Sequence, residues 1–488
     1  MSSSLPPIRH QPPAHRRDTI LLALFGAVVF LVLKLNQWHS LGVHAELAEF
    51  ESRLYSTLHG GFMERHRGEP PFFAEHVSPV LLLLLPLYAL LPTPLTLLVV
   101  QALAAAAAVV PLHRLALHLL ERRAAAAAVG LAYLVSRTLD YGLMYDFHME
   151  ILYPLLFFGA FLAFERRRWG WLAAAAILAA MCKEDAGLAL AGLGAYMLAR
   201  GERRAGALLA AGGLAWAMAA VTLVSPAFRR GAGGGEYAFA FYWSGYGHTQ
   251  SEVLRGMLNP LTHARVIFAA PKPGQMFDLF AGVAFLPFAE PAAAMFLVLP
   301  GWFILYSSDN PLMNGPILYY GLLILPFLFY ATMLGIRRVG RPLGPVARAR
   351  WTAALAGVVL LIQLGNSRLF QQLSPGAFHQ HARTAAVRAL IARIPRGAQV
   401  SAQGGLVSYV PAASERFCLP DGLDHSTWVL FDTVEVEGTL VPERFRPLRA
   451  RLEDSGAWER EAAASGFVLL RRRAERAPGA PPAVPLRD

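Results

Sequence analysis

The chain has 488 residues, of which 55% are hydrophobic and only 16% charged, with a formal net charge of +11. That balance excludes an ordinary soluble multidomain protein, which the length alone would allow, and points to a polytopic membrane protein. The basic residues stand in short clusters beside apolar runs, the mark of a positive-inside topology rather than of a nucleic-acid surface. The two cysteines, Cys182 and Cys418, make neither a disulfide framework nor a zinc motif.

Residues 1–18 are polar, Pro-rich and basic, and read as a cytoplasmic tail. The apolar run behind them lacks a small-residue cleavage site and is long enough to stay as a first span. Further apolar segments follow at 77–91, 95–119, 124–139, 150–164, 169–182, 185–200, 205–225, 276–290, 291–307, 315–335 and 351–364, which predicts about eleven to thirteen spans within residues 19–365. Basic clusters at 16–18, 121–123, 165–169, 200–204 and 336–350 belong on the cytoplasmic side. Residues 77–91 fall short of the roughly 20 that a crossing needs, and Pro92 and Pro94 follow at once, so a re-entrant or interfacial helix is expected there.

Under this topology the outer face collects a first loop (37–76), the YDFHME stretch, the CKED turn at 182–185, a Gly-rich and aromatic loop (226–275) and the C-terminal tail. In that aromatic loop Tyr242, Trp243 and Tyr246 suit an interfacial belt better than a stacking site. From residue 366 the pattern changes. HQHARTAAVRALIARI has helical period, whereas AQVSAQ, TWVLFD and GFVLLRR are strand-like, which predicts a small extracytoplasmic α/β domain over 366–475 and a disordered end at 476–488. The fold class is therefore mainly α, a transmembrane helix bundle with a small C-terminal α/β domain.

Several short stretches carry chemistry. AELAEFESRLYSTL has helical period, with Leu47, Phe50, Leu54 and Leu58 on one stripe and Glu46, Glu49 and Arg53 off it, as in a helix lying on a membrane surface. In AEHVSPVLLLLL, Ser78 and Pro79 predict an N-cap and a first helical residue. His76 then stands ahead of a helix N-terminus that favours anions, although a plain interfacial histidine fits equally. In YDFHMEILYP, Asp146, His148 and Glu150 alternate, so extended backbone aligns them and a helix spreads them. Carboxylate beside imidazole suits a divalent metal, with Asp146 and His148 as ligands, or an acid–base pair; a polar turn capping the next helix is the bland alternative.

CKED puts three charges between two apolar runs, at a cost on the order of 2.5–3.5 kcal/mol each unless paired or used. Lys183 suits a phosphate, while Glu184 and Asp185 either cap the next helix or hold Lys183. Arg137, Arg229, Arg230, Arg265, Lys272 and Arg368 are outward cations, any two of which suit a phosphate or diphosphate clamp. Gly404 and Gly405 after a predicted strand are too little to define a phosphate loop.

The blocks EHVSPVLLLLLPLYALLPTPLTLLVVQAL, YDFHMEILYP and CKEDAGLALAGLGAYML, in that order, resemble the bacterial and archaeal membrane family called domain of unknown function 2079, and the likeness extends to QVSAQGGLVSYV and TWVLFD. That family is similar to the GT-C class of membrane glycosyltransferases. The resemblance implies a GT-C-like bundle in the cytoplasmic membrane that takes a sugar from a polyprenyl-phosphate donor and passes it to an acceptor at the outer face, amid membrane lipid and without nucleic acid. It also implies an acid in the first outer loop as general base or acceptor-orienting group. Glu46 stands where the family has aspartate, with Glu49 and Glu51 nearby. The expected catalytic set is Glu46, Asp146, His148 and Glu150, and the expected substrate-binding set is His76, Arg137, Lys183, Glu184, Asp185 and Arg368. A divalent metal is the cofactor to look for. A transporter is the competing class, but transporters set their charges near the midplane in broken helices. Here they gather at span ends on one face. A non-catalytic envelope assembly protein is the third reading.

Overall fold

The computed structural model describes residues 13–229, 239–315, 318–378, 383–434 and 442–473. Its contacts divide it into two compact units, Met1–Trp38 with Phe50–Phe378, and His39–Glu49 with His379–Asp488.

The first unit is helical. Its helices include α1 (Pro13–His39), α2 (Glu46–Leu58, whose first turn lies in the second unit), α3 (Pro94–Ala107), α4 (Val109–Leu120), α5 (Arg123–Leu134), α6 (Arg137–Met144), α7 (Tyr153–Glu165), α8 (Ala186–Ala199), α9 (Arg203–Ala219), α10 (Ile324–Gly340) and α11 (Pro345–Asn366). Among the described residues five helices are long and apolar enough to cross a membrane: Ala14–His39, Pro94–Leu120, Arg203–Arg229, Tyr320–Gly340 and Pro345–Asn366. Trp169–Ala180, Ala186–Ala199 and Pro291–Ser307 are shorter apolar helices. Large apolar side chains such as Leu24, Phe25 and Val28 on α1 and Leu208, Leu214 and Met218 on α9 remain exposed, as a bilayer-facing surface requires.

The weak segment at 77–91 is two short helices, Val80–Leu83 and Leu85–Leu90, far below crossing length. The expected cap does not form. The helix begins one residue later than Pro79, and the Ser78 hydroxyl is buried without a hydrogen-bond partner among the described residues. The described part of the 226–275 loop is also not coil. It contains helices Gln250–Leu258, closed by a Thr249–Glu252 capping box, and Pro260–Ile267, capped by Asn259.

Close packing follows from small residues. Gly26 of α1 faces Ala106 and Leu134, and Gly130 of α5 faces Leu22 and Val109. α8 and α9 form a hairpin whose backbones nearly touch. An ideal Cβ on Gly194 would stand 2.3 Å from the Ala210 nitrogen, and one on Gly213 would stand 2.4 Å from the Gly187 carbonyl oxygen. Between helices in lipid, such contact replaces the missing hydrophobic drive.

In the second unit five strands, β1 (Gln399–Ala402), β2 (Glu415–Cys418), β3 (Trp428–Asp432), β4 (Trp458–Ala464) and β5 (Phe467–Arg472), form a sheet of order β2-β1-β3-β5-β4. β1 pairs in parallel with β2 and β3, while β5 is antiparallel to β3 and β4. One face packs Val400, Ala402, Leu430 and Leu469 under Val387, Leu390 and Ile391 of α12 (Arg383–Ile391). The other packs Val429, Phe431, Val468 and Leu470 under Phe445, Leu448 and Leu452 of α13 (Pro442–Asp454). The sequence marked β1, β3 and β5 but passed over β2 and β4, which sit at the edges and carry polar residues. Residues 476–488 lie outside the described residues.

The α8–α9 contact gives a direct test. Gly194→Leu should cost about 1–3 kcal/mol and lower Tm in detergent, whereas Gly212→Leu, whose added side chain meets nothing within 4 Å at its Cβ, should not.

Candidate functional site

A charge inside an apolar bundle persists when it is paired or hydrogen-bonded. The turn at 182–185 satisfies that condition in a way its sequence did not suggest. Its three charged residues form their hydrogen bonds not with one another but with other segments. Lys183 Nζ donates to Glu150 Oε1 at 2.8 Å. Glu184 Oε1 accepts from His76 Nδ1 at 2.8 Å, and its Oε2 accepts from the Val77 backbone N–H at 3.1 Å. Asp185 Oδ1 accepts from the Tyr153 hydroxyl at 2.5 Å. The expectation of mutual hydrogen-bonded pairing or of side-chain helix capping is corrected accordingly, while Glu184 and Asp185 still act on Lys183 electrostatically.

Lys183 and Glu150 are both buried. Burial works against the ammonium charge, but the carboxylates of Glu150, Asp185 and Glu184 outweigh it and hold Lys183 well above its ordinary range. Burial pushes Asp185 up to about 6, against the pull of Lys183. Glu150 keeps one buried carboxylate oxygen, Oε2, with no hydrogen-bond partner among the described residues. His76 is bound to a carboxylate that can only accept, which fixes its proton on Nδ1, and its ring stacks on Phe239 at 4.5 Å. A histidine free for an anion at a helix N-terminus is thus not what forms.

The stretch from Tyr145 to Glu150 is half extended and half helical. Tyr145 and His148 have extended backbone, and a 3-10 turn at Met149–Leu152 leads into α7. The alternation of the three ionisable groups is therefore broken at Glu150, which binds Lys183. The His148 ring stacks on Tyr319 at 3.6 Å and 14°, with Phe50 edge-on at 5.0 Å. Lys183 Nζ lies 5.7 Å above the same Tyr319 ring.

Asp146 is fully buried, and polar side chains from two helices hold the backbone around it. Lys34 Nζ donates to the Tyr145 carbonyl at 2.6 Å and to Gln37 Oε1 at 2.8 Å, and it interacts electrostatically with Asp146. Gln37 Nε2 donates to the Met144 carbonyl at 2.7 Å, and Gln101 Nε2 to those of Gly142, Tyr145 and Asp146 at 2.9–3.2 Å. Sequence reasoning missed Lys34 although its signal was present, a lone cation inside the first apolar run. Tyr319 carried no comparable signal.

The surface reading of α2 also needs correction. Arg53, expected on the solvated side, is buried, donating to Glu75 Oε2 at 3.1 Å and stacked over Phe72 at 4.5 Å. Glu51 is buried and accepts from the Tyr88 hydroxyl at 3.1 Å. Glu46 opens α2 within the second unit and is half-buried.

Arg137 and Arg368 form a separate group. Their guanidinium carbons lie 5.3 and 5.6 Å from the Tyr141 ring, and Arg137 Nη2 donates to the Tyr141 hydroxyl at 2.8 Å. Arg137 and Tyr141 line a cavity of about 540 Å³ together with polar Ser136, Gln275, Asp278 and Asn366 and apolar Leu325, Leu328, Phe329 and Ile362. α6 runs from this cavity to Tyr145, about 12 Å at 1.5 Å per residue. Among the described residues no three His, Cys, Asp or Glu side chains gather as a metal site would need, so Asp146 and His148 lack a third protein ligand.

The sequence matches the family described as "Predicted membrane protein (DUF2079)" over residues 46–464. No curated protein matches it. Among solved structures, the fold is similar to that of ArnT from Cupriavidus metallidurans bound to undecaprenyl phosphate, with a TM-score of 0.54 and 13% identity. The alignment covers 93% of this chain and 98% of that one. ArnT is a GT-C glycosyltransferase, and at this identity the likeness is one of fold.

Removing one partner of the buried Lys183–Glu150 pair should be far worse than removing both. Lys183→Met should cost about 3–5 kcal/mol, and Lys183→Met combined with Glu150→Gln should recover a large part of it. Thermal unfolding in detergent measures both together with Glu150→Gln alone, and a double-variant loss equal to the sum of the two single losses would show that the two side chains are not coupled.

Proposed function

The chain belongs to the membrane-protein family DUF2079, and from its GT-C-like fold and its buried ionisable cluster we propose that it is a glycosyltransferase. It takes a sugar from a polyprenyl-phosphate donor and transfers it to an acceptor at the outer face of the cytoplasmic membrane, with the C-terminal unit on that side. The observation that carries this reading is the group formed by Glu150, Lys183, His148 and Tyr319 in a bundle whose fold is like that of a protein crystallised with undecaprenyl phosphate.

Transfer requires a base for the acceptor hydroxyl, cations for the departing phosphate and an apolar berth for the lipid. In this proposal Arg137 and Arg368 bind the donor phosphate, and Leu325, Leu328, Phe329 and Ile362 in the adjoining cavity take the start of the isoprenyl chain. The sugar extends from there toward the Tyr145–Glu150 segment. Glu150 Oε2 accepts a hydrogen bond from a sugar hydroxyl, and His148 and Asp146 orient the reactants. Glu46 is the base. The acceptor oxygen bonds to the anomeric carbon, its proton passes to the carboxylate, and the carbon–oxygen bond to the phosphate breaks to release polyprenyl phosphate. Lys183, Glu184, Asp185 and His76 keep the cluster's segments together.

Two measurements test this. A deletion strain compared with its parent should accumulate one polyprenyl-phosphate sugar and lose one glycosylated product; an unchanged glycome with altered solute uptake would favour a transporter instead. Restoring the strain with Glu46→Gln should give folded protein and no product, and full product would move the base elsewhere.

A further inference from the structure

α2 begins at Glu46, so the residue before it is Ala45, which has no side chain able to cap the first turn. Helices lacking a Ser, Thr, Asp or Asn there leave their early N–H groups without a local side-chain acceptor. In this chain the side-chain acceptor comes from far away. The Ala48 N–H, which also reaches the Ala45 carbonyl at 3.1 Å, donates to Ser408 Oγ at 3.1 Å, across 360 residues of sequence, and the same hydroxyl donates to the His44 carbonyl at 2.7 Å. An N-cap hydroxyl ordinarily takes the N–H of the third helical residue, and Ala48 is the third residue of α2.

Two further contacts bracket the same turn. Arg416, itself buried, donates from Nη2 to the Ala48 carbonyl at 3.1 Å and from Nη1 to the Val410 carbonyl at 3.0 Å. Gly405 admits the Val43 carbonyl so closely that an ideal Cβ would lie 1.8 Å from its oxygen. Ala48 packs among Val387, Leu406, Val407 and Val410, with Leu41 and Ala45 against the same core.

The location is chemically informative. β2 and β3 flank β1 on opposite sides and all three run parallel, so the strand order reverses at β1. In open α/β sheets a ligand usually occupies the crevice beyond the strand ends at such a switch point. Here the Gly404–Tyr409 turn that follows β1 holds the chain's own residues 43–48. The pair Gly404 and Gly405, too weak in sequence to define a phosphate loop, thus finds its use in admitting a peptide carbonyl.

We propose that the C-terminal α/β unit is a positioning module for the acid-bearing start of α2. Ser408 supplies the side-chain cap that Ala45 cannot, and Gly405 and Arg416 fix the backbone on either side of Glu46. These three are positioning residues, and their effect on transfer rests on the reading of Glu46 as base.

Hydrogen–deuterium exchange on the full-length protein in detergent tests the capping without any substrate. Ser408→Ala should speed exchange at Ala48 and Glu49 roughly fivefold, the factor that loss of a typical cap corresponds to. Adding Ala45→Ser, which restores a cap from within the helix, should return the protection, a rescue that general damage to the C-terminal unit would not allow. Unchanged exchange in Ser408→Ala, or no rescue by Ala45→Ser, overturns the proposal. Product formation in the complemented deletion strain separates the two readings: if Glu46→Gln is fully active while the exchange results hold, the base assignment fails and the capping stands. If Glu46→Gln is inactive, Ser408→Ala should reduce product and the double variant should restore it.

Discussion

The organisation of the helical unit depends on the need to satisfy three ionisable side chains inside apolar surroundings. Lys183, Glu184 and Asp185 stand on one short turn between apolar helices, and each is satisfied on a different piece of chain, at Glu150, at His76 with Val77, and at Tyr153. Leaving any of them unpaired would cost several kcal/mol, so the turn, the 3-10 segment ahead of α7 and the stretch before the Val80–Leu83 helix are tied into one body. Pairing that is costly to break is a good way to hold a site still, because the alternatives are uncompensated buried charges.

On that anchored frame the ionisable groups separate into two sets with different character. The set around Glu150 and Lys183 is buried and closely coupled, with Tyr319 serving both the His148 ring and the Lys183 ammonium. The set around Tyr141 carries exposed guanidiniums beside a cavity of mixed polarity. An amphiphile needs the second kind of environment, and group transfer needs the first. α6 links them, capped at its start by Ser136 and followed by the segment that Lys34, Gln37 and Gln101 hold by its carbonyls. Lys34 and Gln101 show why polar residues in apolar helices reward attention: they satisfy backbone carbonyls of an irregular segment buried in the bundle.

The C-terminal unit follows a related logic at the level of backbone hydrogen bonds. A helix that starts after an alanine lacks a side-chain cap of its own; Ser408 supplies that acceptor, and Arg416 adds a donor to the Ala48 carbonyl. Such division of labour makes the start of α2 conditional on the folding of a sheet more than three hundred residues later in the chain.

By itself the sequence determined the class of the protein and most of its local elements. Hydropathy marked the apolar helices, period marked α2, β1, β3 and β5, and the short blocks YDFHME and CKED stood out because charge is rare and costly in such company. Those signals are local, and local pattern is what residue spacing can record. Only the tertiary structure decided the partners. Glu184 meets Val77 across 107 residues, Tyr153 meets Asp185 across 32, and Arg137 and Arg368 meet on Tyr141. It also turned Arg53 and Glu51 inward and gave the cap of α2 to Ser408. The reason is physical: a buried polar group is satisfied by whichever donor or acceptor the packing brings within about 3 Å, and that choice is made by close-packed backbones such as those at Gly194 and Gly405, not by the order of residues along the chain.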